Sequence, residues 1–270
     1  KQVFSKKGTC EYSKGAIVIM IGRRGQGKSY LVKDLLYYKR DIPIGTVISA
    51  SESSNRFYGD MMPSIFIHDE YSPEIIANVV KRQKLVTRKM KQQISMYGKS
   101  NIDPYAFLVL DDLMYDANRW IRDVNVRDIF MNGRHFNLMF LITMQFPLGI
   151  PPSFRTNVDI IVIFKDPILS NRRRLYDHYA GMFPTFEAFC QIMDQCTENY
   201  ECLVINNNSK SFNPPFLICL VSIIFCFQSP CIVLVFCVCL FPLCFTYFRF
   251  FRRWGFAETV YKRSIYIMGL

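Results

Sequence analysis

Histidine and closely paired cysteine are scarce in this chain of 270 residues. It contains three histidines, and none of its ten cysteines forms a C-x-x-C pair. A zinc site with the usual Cys/His spacing is therefore excluded. Unpaired thiols are most simply explained by a reducing compartment. The chain also has no internal repeat, which excludes a solenoid or propeller array.

The amino-terminal part lacks the apolar stretch of a secretory signal. The first apolar run, 16–21, is only six residues long and ends at a glycine-rich loop, and a run of this length is too short for a signal peptide. The sequence starts at Lys1 rather than at a methionine. We therefore expect part of the natural amino terminus to be missing.

Basic residues exceed acidic residues by 33 to 22, which gives a formal net charge of +11. Such a charge favours an anionic partner, either nucleic acid or a membrane surface. Half of the residues are hydrophobic, enough for the core of a large domain. Two basic clusters are candidates for DNA contact, with a solvated helix face as the alternative for each. These clusters are Lys81, Arg82, Lys84, Arg88, Lys89 and Lys91, and then Arg172, Arg173 and Arg174.

Residues 22–29 match the phosphate-binding pattern G-x-x-x-x-G-K-[ST], with a predicted strand before them and a predicted helix after them. In this pattern, backbone N–H groups surround phosphate oxygens at the helix start. We expect Lys28 to reach the β- and γ-phosphates of ATP, and Ser29 to ligate Mg²⁺. The predicted nucleotide-binding residues are Gly22, Arg23, Arg24, Gly25, Gln26, Gly27, Lys28, Ser29 and Tyr30.

Strands and helices alternate along the chain, which predicts an α/β fold with a mainly parallel sheet covered by helices on both faces. Predicted strands occupy residues 16–21, 46–50, 65–68, 107–110, 138–143, 158–164 and 201–205. Predicted helices follow the glycine loop, run from 73 to about 97 and from 120 to 130, and lie around 173–179 and 186–193.

Polar side chains end two of the predicted strands. Asp111 and Asp112 follow the strand at 107–110, and Gln145 follows the strand at 138–143. We assign Asp111 to the Mg²⁺ shell, Asp112 to the attacking water and Gln145 to sensing the γ-phosphate. The alternative for the acid pair is capping of the next turn. The strands near residues 47 and 66 suggest that another strand separates the glycine-loop strand from the Asp111 strand, as in motor-type ATPases.

Several motifs in order resemble the genome-packaging ATPases of nucleocytoplasmic large DNA viruses, a family of the FtsK-HerA superfamily. The resemblance covers about residues 14–211. It rests on 110–114, Asn132-Gly133-Arg134-His135, 143–152, 155–157, 171–176 and 179–184. The resemblance implies a RecA-like P-loop core, ATP hydrolysis, a homo-oligomeric and hexameric ring around double-stranded DNA, and packaging of the viral genome into a capsid.

The resemblance also gives Arg134 a role as a catalytic arginine presented to the ATP of the neighbouring subunit. Such an arginine neutralises the charge that develops on the transferred phosphate. Arg155 is the second candidate for this role. The alternative for either arginine is a local ion pair. We interpret Asn132 and His135 as structural residues.

Residues 212–270 depart from the family pattern, so we divide the chain into an ATPase domain, 1–211, and an atypical hydrophobic tail. Residues 216–248 contain no charged residue and exceed the roughly 20 residues that span a bilayer. Arg249, Arg252 and Arg253 follow them as a basic anchor. A membrane segment is one interpretation. Translated noncoding sequence after Ser211 is the other and the favoured one, because the residues between 214 and 245 are almost all encoded by pyrimidine-rich codons.

We therefore expect a DNA-packaging ATPase located in the virus factory of the host cytoplasm or in the virion. Its other expected partner is a component of the capsid or of the virion membrane. A P-loop nucleotide kinase with Arg172 to Arg174 as its lid is one alternative. A membrane-tethered scaffold that binds ATP without hydrolysing it is the other.

Overall fold

The computed structural model describes residues 15–208 and two further strands near the carboxyl terminus. All described strands form one sheet in the order β3-β2-β4-β5-β1-β6-β7-β8-β9. The strands are β1 (Ile17–Ile21), β2 (Gly45–Ser49), β3 (Ile67–His68), β4 (Ala106–Asp111), β5 (Leu138–Met144), β6 (Ile160–Phe164), β7 (Glu201–Asn206), β8 (Ile218–Ser222) and β9 (Leu234–Val238). Strands β1 to β6 pair in parallel, and β7, β8 and β9 continue the sheet antiparallel.

The helices lie on both faces of this sheet. They are α1 (Lys28–Tyr38), α2 (Glu52–Asn55), α3 (Pro73–Tyr97), α4 (Ala117–Trp120), α5 (Val124–Asn132), α6 (Pro152–Arg155), α7 (Leu169–Tyr179) and α8 (Phe186–Cys196). Helices α3, α5, α7 and α8 contribute to the larger apolar layer, and α1 contributes to the smaller layer on the opposite face. These two layers confirm the predicted α/β fold with a mainly parallel sheet.

Alternation along the central strands explains why each strand serves both layers. Ile17, Ile19 and Ile21 of β1 belong to the larger layer, whereas Val18 and Met20 belong to the smaller one. Successive side chains of a strand point to opposite faces. A strand that is buried on both faces therefore reads as a continuous apolar run, as predicted for parallel sheets.

A strand does separate β1 from β4, but the strands near residues 47 and 66 are not the ones that do so. β5 lies between β1 and β4, whereas β2 and β3 lie on the far side of β4. The order of strands in the sheet is set by crossover connections and not by order in the chain. As a result, Gln145 follows the strand that lies between the glycine loop and the acid pair.

The predicted helix at 120–130 is two helices, α4 and α5. Asp123 has extended backbone dihedrals, and its carboxylate accepts a hydrogen bond of 2.8 Å from Asn125 N. An aspartate that caps a new helix in this way ends the previous one. The strand predicted at 65–68 is also shorter, because residues 64–66 form a 3₁₀ turn.

Most of the hydrophobic tail lies outside the described residues, as does the proposed domain boundary at residue 211. Only β8 and β9 of the tail are described, and β8 pairs with the sheet at β7. Among residues 15–208, β8 and β9, no helix has the length and apolarity to cross a bilayer. The membrane and noncoding interpretations of 212–270 both stay predictions.

Candidate nucleotide-binding site

The glycine loop connects the end of β1 to the start of α1, as the sequence predicts. Gly25 and Gly27 have φ angles of 76° and 87°, which favour glycine because it lacks a Cβ atom. A Cβ atom on Gly22 would lie 2.6 Å from the Cβ of Phe164 in β6. Glycine at position 22 thus allows the loop to pass closely over the neighbouring strand.

Lys28 lies inside this loop, at the first position of α1. Its Nζ donates hydrogen bonds to the carbonyls of Gly22 at 2.7 Å and Arg23 at 2.9 Å. Burial lowers the pKa of Lys28, while the nearby Asp112 and Asp111 act in the opposite direction. A buried ammonium that donates to backbone carbonyl oxygens is well placed to pair with a phosphate.

Asp111 is the centre of a hydrogen-bond network at the end of β4. Its Oδ1 accepts from Ser29 Oγ at 3.2 Å and from Thr143 Oγ1 at 2.7 Å, and its Oδ2 accepts from Tyr58 Oη at 2.8 Å. Carboxylate and hydroxyl oxygens are the ligands that Mg²⁺ prefers, usually together with waters and substrate phosphates. The pair of Ser29 and Asp111 therefore fits the predicted Mg²⁺ site.

Asp112 takes a separate orientation, with a left-handed φ of 54°. Its backbone N donates to Thr143 Oγ1 at 2.9 Å, and its Oδ1 accepts from Gln145 Nε2 at 2.6 Å. Such a backbone conformation is uncommon outside glycine, asparagine and aspartate. The Asp112 carboxylate contacts Gln145, whereas the Asp111 carboxylate contacts Ser29, Thr143 and Tyr58, so the two acids have different partners.

The nucleotide-binding prediction for the rest of the loop concerns residues at its rim. Arg23, Arg24 and Gly25 are exposed. Tyr30 is half exposed and contacts the ring of Phe57 edge-on, with 5.0 Å between ring centroids. Contacts of these residues with a nucleotide stay predictions.

Arg134 does not lie at this edge of the sheet. It pairs with Asp159, whose other oxygen accepts a hydrogen bond of 2.8 Å from Ile17 N at the start of β1. The five residues of β1 span roughly 13 Å, and the glycine loop begins only at the opposite end of this strand. The position of Arg134 is therefore remote from the nucleotide site of its own chain.

Arg155 makes contacts within its own chain. Its Nε donates to the carbonyl of Ile150 at 3.0 Å, and its guanidinium lies 5.6 Å from the ring centroid of Tyr179. The hydroxyl of Tyr179 in turn donates to Pro147 O at 2.6 Å. Arg155 thus fastens the segment that follows Gln145 to α7.

One arginine of the second basic cluster, Arg172, is structural, whereas Arg173 and Arg174 are exposed and stay candidates for DNA contact. Arg172 is buried, donates to Asp166 O at 2.5 Å and forms an ion pair of 2.6 Å with Asp194. Arg173 pairs with Asp177 at 3.3 Å. A guanidinium that is buried and paired in this way is not available as a DNA contact or as a mobile lid, which removes Arg172 from both predictions.

Sequence reasoning missed two members of the site, Tyr58 and Thr143. Thr143 lies on β5, two residues before Gln145. Its proximity to Asp111 follows once β4 and β5 are known to be adjacent. Tyr58 gives no such signal, because it lies in an irregular segment after α2. Its contact with Asp111 is visible only in three dimensions.

Two viral proteins match the chain closely. It is 40% identical over 194 residues to the uncharacterized protein L437 of Acanthamoeba polyphaga mimivirus, which covers 72% of this chain and 68% of L437. It is 39% identical over 201 residues to the uncharacterized protein 075L of Invertebrate iridescent virus 6, which covers 73% and 72%. The chain belongs to the protein family of L437 and 075L. No protein-family model matches the sequence.

Solved structures with a similar fold include ATPases. The chain matches ATPases 2 and 3 of EssC from Geobacillus thermodenitrificans with a TM-score of 0.51 and 14% identity, over 72% of this chain and 38% of that one. It matches the genome packaging NTPase B204 of Sulfolobus turreted icosahedral virus 2 in complex with AMPPCP with a TM-score of 0.49 and 16% identity, over 73% and 95%. The likeness to EssC shows that this member of the L437 family has a P-loop ATPase fold.

Proposed function

We propose that this protein hydrolyses ATP to move double-stranded viral DNA into a capsid. The observation that carries the proposal is the meeting of Lys28, Ser29, Asp111, Asp112 and Gln145 at one edge of the sheet. A loop for phosphates, a pair of oxygen ligands and a second carboxylate that is hydrogen-bonded to an amide are the parts of an NTP hydrolysis site.

The chain's own residues divide the chemistry among themselves. Lys28 neutralises phosphate charge from inside the loop, and Asp112 orients and deprotonates the attacking water. Gln145, which donates to Asp112, senses whether the γ-phosphate is present. Mg²⁺ held by Ser29 and Asp111 would neutralise charge on the β- and γ-phosphates.

The DNA partner is supported by the net charge of +11 and by the long helix α3. The residues of α3 that are buried are Ile76, Val80, Gln83 and Thr87, and no residue beyond Thr87 in this helix is buried. Lys84, Arg88, Lys91 and His135 line a groove of about 540 Å³ along the helix. A groove of this charge is suited to a phosphate backbone.

The family of viral relatives and the motif resemblance support the remaining parts of the proposal. These are a homo-oligomeric ring, which we take to be a hexamer, a capsid or virion-membrane partner, and a location in the virus factory or virion. The position of Arg134 supports a ring. Its side chain pairs with Asp159 but is half exposed and lies far from the nucleotide site of its own chain, where a neighbouring subunit can contact it.

We expect phosphate release from ATP by the full chain to increase when double-stranded DNA is added, and Lys28→Ala to abolish it. The measurement is a steady-state phosphate assay with and without DNA. Transfer of phosphate to an added nucleoside monophosphate would instead indicate a kinase. ATP binding without any phosphate release would indicate a nucleotide-binding scaffold.

Neutralising Lys84, Arg88 and Lys91 together should weaken DNA binding and flatten its salt dependence. The three residues line the same groove. Each phosphate contact contributes about 0.9 to the magnitude of the slope of log K against log[salt], so loss of all three contacts should reduce that magnitude by up to about 2.7. Fluorescence anisotropy across a salt series measures this slope.

The matched control replaces Lys39 and Arg40, which lie just beyond the end of α1 and do not line this groove. This control should leave the slope unchanged. Lys84 also pairs with Asp128 at 2.6 Å, so thermal unfolding must be recorded for each variant. An unaltered slope in a folded triple variant would show that α3 has only a solvated basic face.

A further inference from the structure

The hydroxyl of Tyr58 reaches Asp111, a predicted Mg²⁺ ligand, at the carboxylate oxygen that does not contact Thr143 of β5. It donates to Asp111 Oδ2 at 2.8 Å, while Asp111 Oδ1 accepts from Ser29 and Thr143. The Tyr58 side chain is 0% exposed. Both oxygens of Asp111 are therefore occupied by donors on defined sides, which leaves the carboxylate one orientation.

The backbone of Tyr58 is itself fixed by a buried carboxylate. Glu52, the first residue of α2, accepts hydrogen bonds from Tyr58 N at 3.0 Å and from Gly59 N at 2.9 Å. A carboxylate that is buried and bound to backbone N–H groups stabilises a loop strongly. Glu52 thus sets the position from which the Tyr58 ring reaches Asp111.

The same segment is tied to α1. Lys33 Nζ donates to Phe57 O at 3.1 Å. The Phe57 ring contacts the rings of Tyr30 and Tyr58 edge-on, with 5.0 and 5.1 Å between the ring centroids. Tyr30 directly follows Ser29 in the chain. The segment that carries Tyr58 is consequently held against the helix that carries Ser29.

The Tyr58 hydroxyl is the donor in its contact with Asp111, because a carboxylate oxygen accepts hydrogen bonds. Its role towards Asp111 is therefore to orient the carboxylate.

We infer that Tyr58 is a positioning residue that holds the Asp111 carboxylate, through Oδ2, in the orientation in which Oδ1 faces Ser29, the other residue that would hold the metal. This inference rests on the proposed function, because it concerns the metal of the same nucleotide site. Loss of the Tyr58 hydroxyl leaves the Asp111 carboxylate held through Oδ1 alone, which weakens the metal site while the phosphate loop is unchanged.

The test is Tyr58→Phe, with Mn²⁺ as the probe. Electron paramagnetic resonance measures the affinity of Mn²⁺ for the protein–ADP complex, independently of turnover. We expect this affinity to fall roughly tenfold, the effect of one hydrogen bond to a charged group. The Mg²⁺ concentration for half-maximal ATP hydrolysis should rise by a similar factor, and ADP affinity without metal should not change.

Tyr71→Phe is the matched control. Tyr71 is 2% exposed, and its hydroxyl donates to Asp123, the residue that caps α5. This variant removes the same group from a buried tyrosine that is paired with a half-buried aspartate outside the site. Its Mn²⁺ affinity should equal that of the unmodified protein, whatever the loss of thermal stability.

Unchanged Mn²⁺ affinity in folded Tyr58→Phe would overturn the inference. If that variant does not fold, Glu52→Gln takes its place, since it keeps the Tyr58 hydroxyl and loosens only its backbone support; a normal Mn²⁺ affinity there would overturn it equally. Absence of both metal-dependent nucleotide binding and hydrolysis in the unmodified protein would instead refute the proposed function.

Discussion

Asp112→Asn should leave ATP binding nearly intact and lower hydrolysis by roughly 10²- to 10⁴-fold, the usual contribution of a general base. The asparagine can still accept from Gln145 Nε2, which lies 2.6 Å from Asp112 Oδ1, but it cannot take the proton of the attacking water. Phosphate release under saturating ATP and equilibrium binding of a fluorescent ATP analogue measure the two effects.

Asparagine is the suitable replacement because Asp112 has a φ of 54°, a conformation that asparagine adopts readily and alanine does not. Asp116→Asn provides the control, since Asp116 pairs with Arg119 at 3.3 Å just beyond the site. Hydrolysis near the normal rate in Asp112→Asn would remove this residue from its role in water activation.

Arg134→Ala should reduce hydrolysis by about 10³- to 10⁵-fold, the contribution of an arginine finger in other enzymes, and the loss should be reversible by mixing. Lys28→Ala subunits are also inactive but retain Arg134. In a mixed ring, some interfaces combine an intact glycine loop of one variant with an intact Arg134 of the other. Those interfaces should hydrolyse ATP, so activity should return in the mixture.

The geometry of Asp159 makes the release of Arg134 feasible. Asp159 accepts additional hydrogen bonds from Ile17 N at 2.8 Å and from Asn208 Nδ2 at 2.5 Å. These bonds keep the buried carboxylate partnered when Arg134 turns outwards. The Arg134 side chain is 58% exposed and that of Asp159 only 3% exposed, so the arginine is the member of the pair that can move.

Arg155→Ala is the companion variant, because Arg155 is the second candidate for the finger. Among the described residues, Arg155 contacts Ile150 and Tyr179 of its own chain. Sizing on DNA shows whether all variants assemble. If properly mixed rings of Arg134→Ala and Lys28→Ala recover nothing, Arg134 is only a partner of Asp159. Recovery with Arg155→Ala in its place would assign the finger to Arg155.

The parts that sequence predicts well are those that one short segment specifies. The glycine loop, the acid pair at the end of β4 and the amide after β5 all lie where the pattern places them. Helix α3 has the predicted bounds because Ser72 caps its start and Gly98 ends it. Each of these features depends on local spacing and local backbone chemistry.

The parts that sequence predicts poorly depend on contacts between distant segments. Tyr58 is 53 positions away from Asp111 in the chain, and the burial of Arg172 results from its ion pair with Asp194 on another helix. The position of β5 between β1 and β4 likewise depends on the path of the crossovers. No periodicity or motif reports such pairings, because they arise only when the sheet is assembled.

β5 has a mechanical consequence for the proposed ring. It follows the turn that contains Arg134 and leads into Gln145, and its ladders to β1 and β4 prevent it from sliding alone. If Gln145 senses the γ-phosphate as proposed, a displacement at Gln145 would move β5 together with its neighbours and would reach Arg134 at the other end of roughly 20 Å of strand. In the proposed ring, β5 would therefore couple the nucleotide site of one subunit to the nucleotide site of the next subunit. The order in which the subunits hydrolyse ATP would then depend on this strand in each subunit.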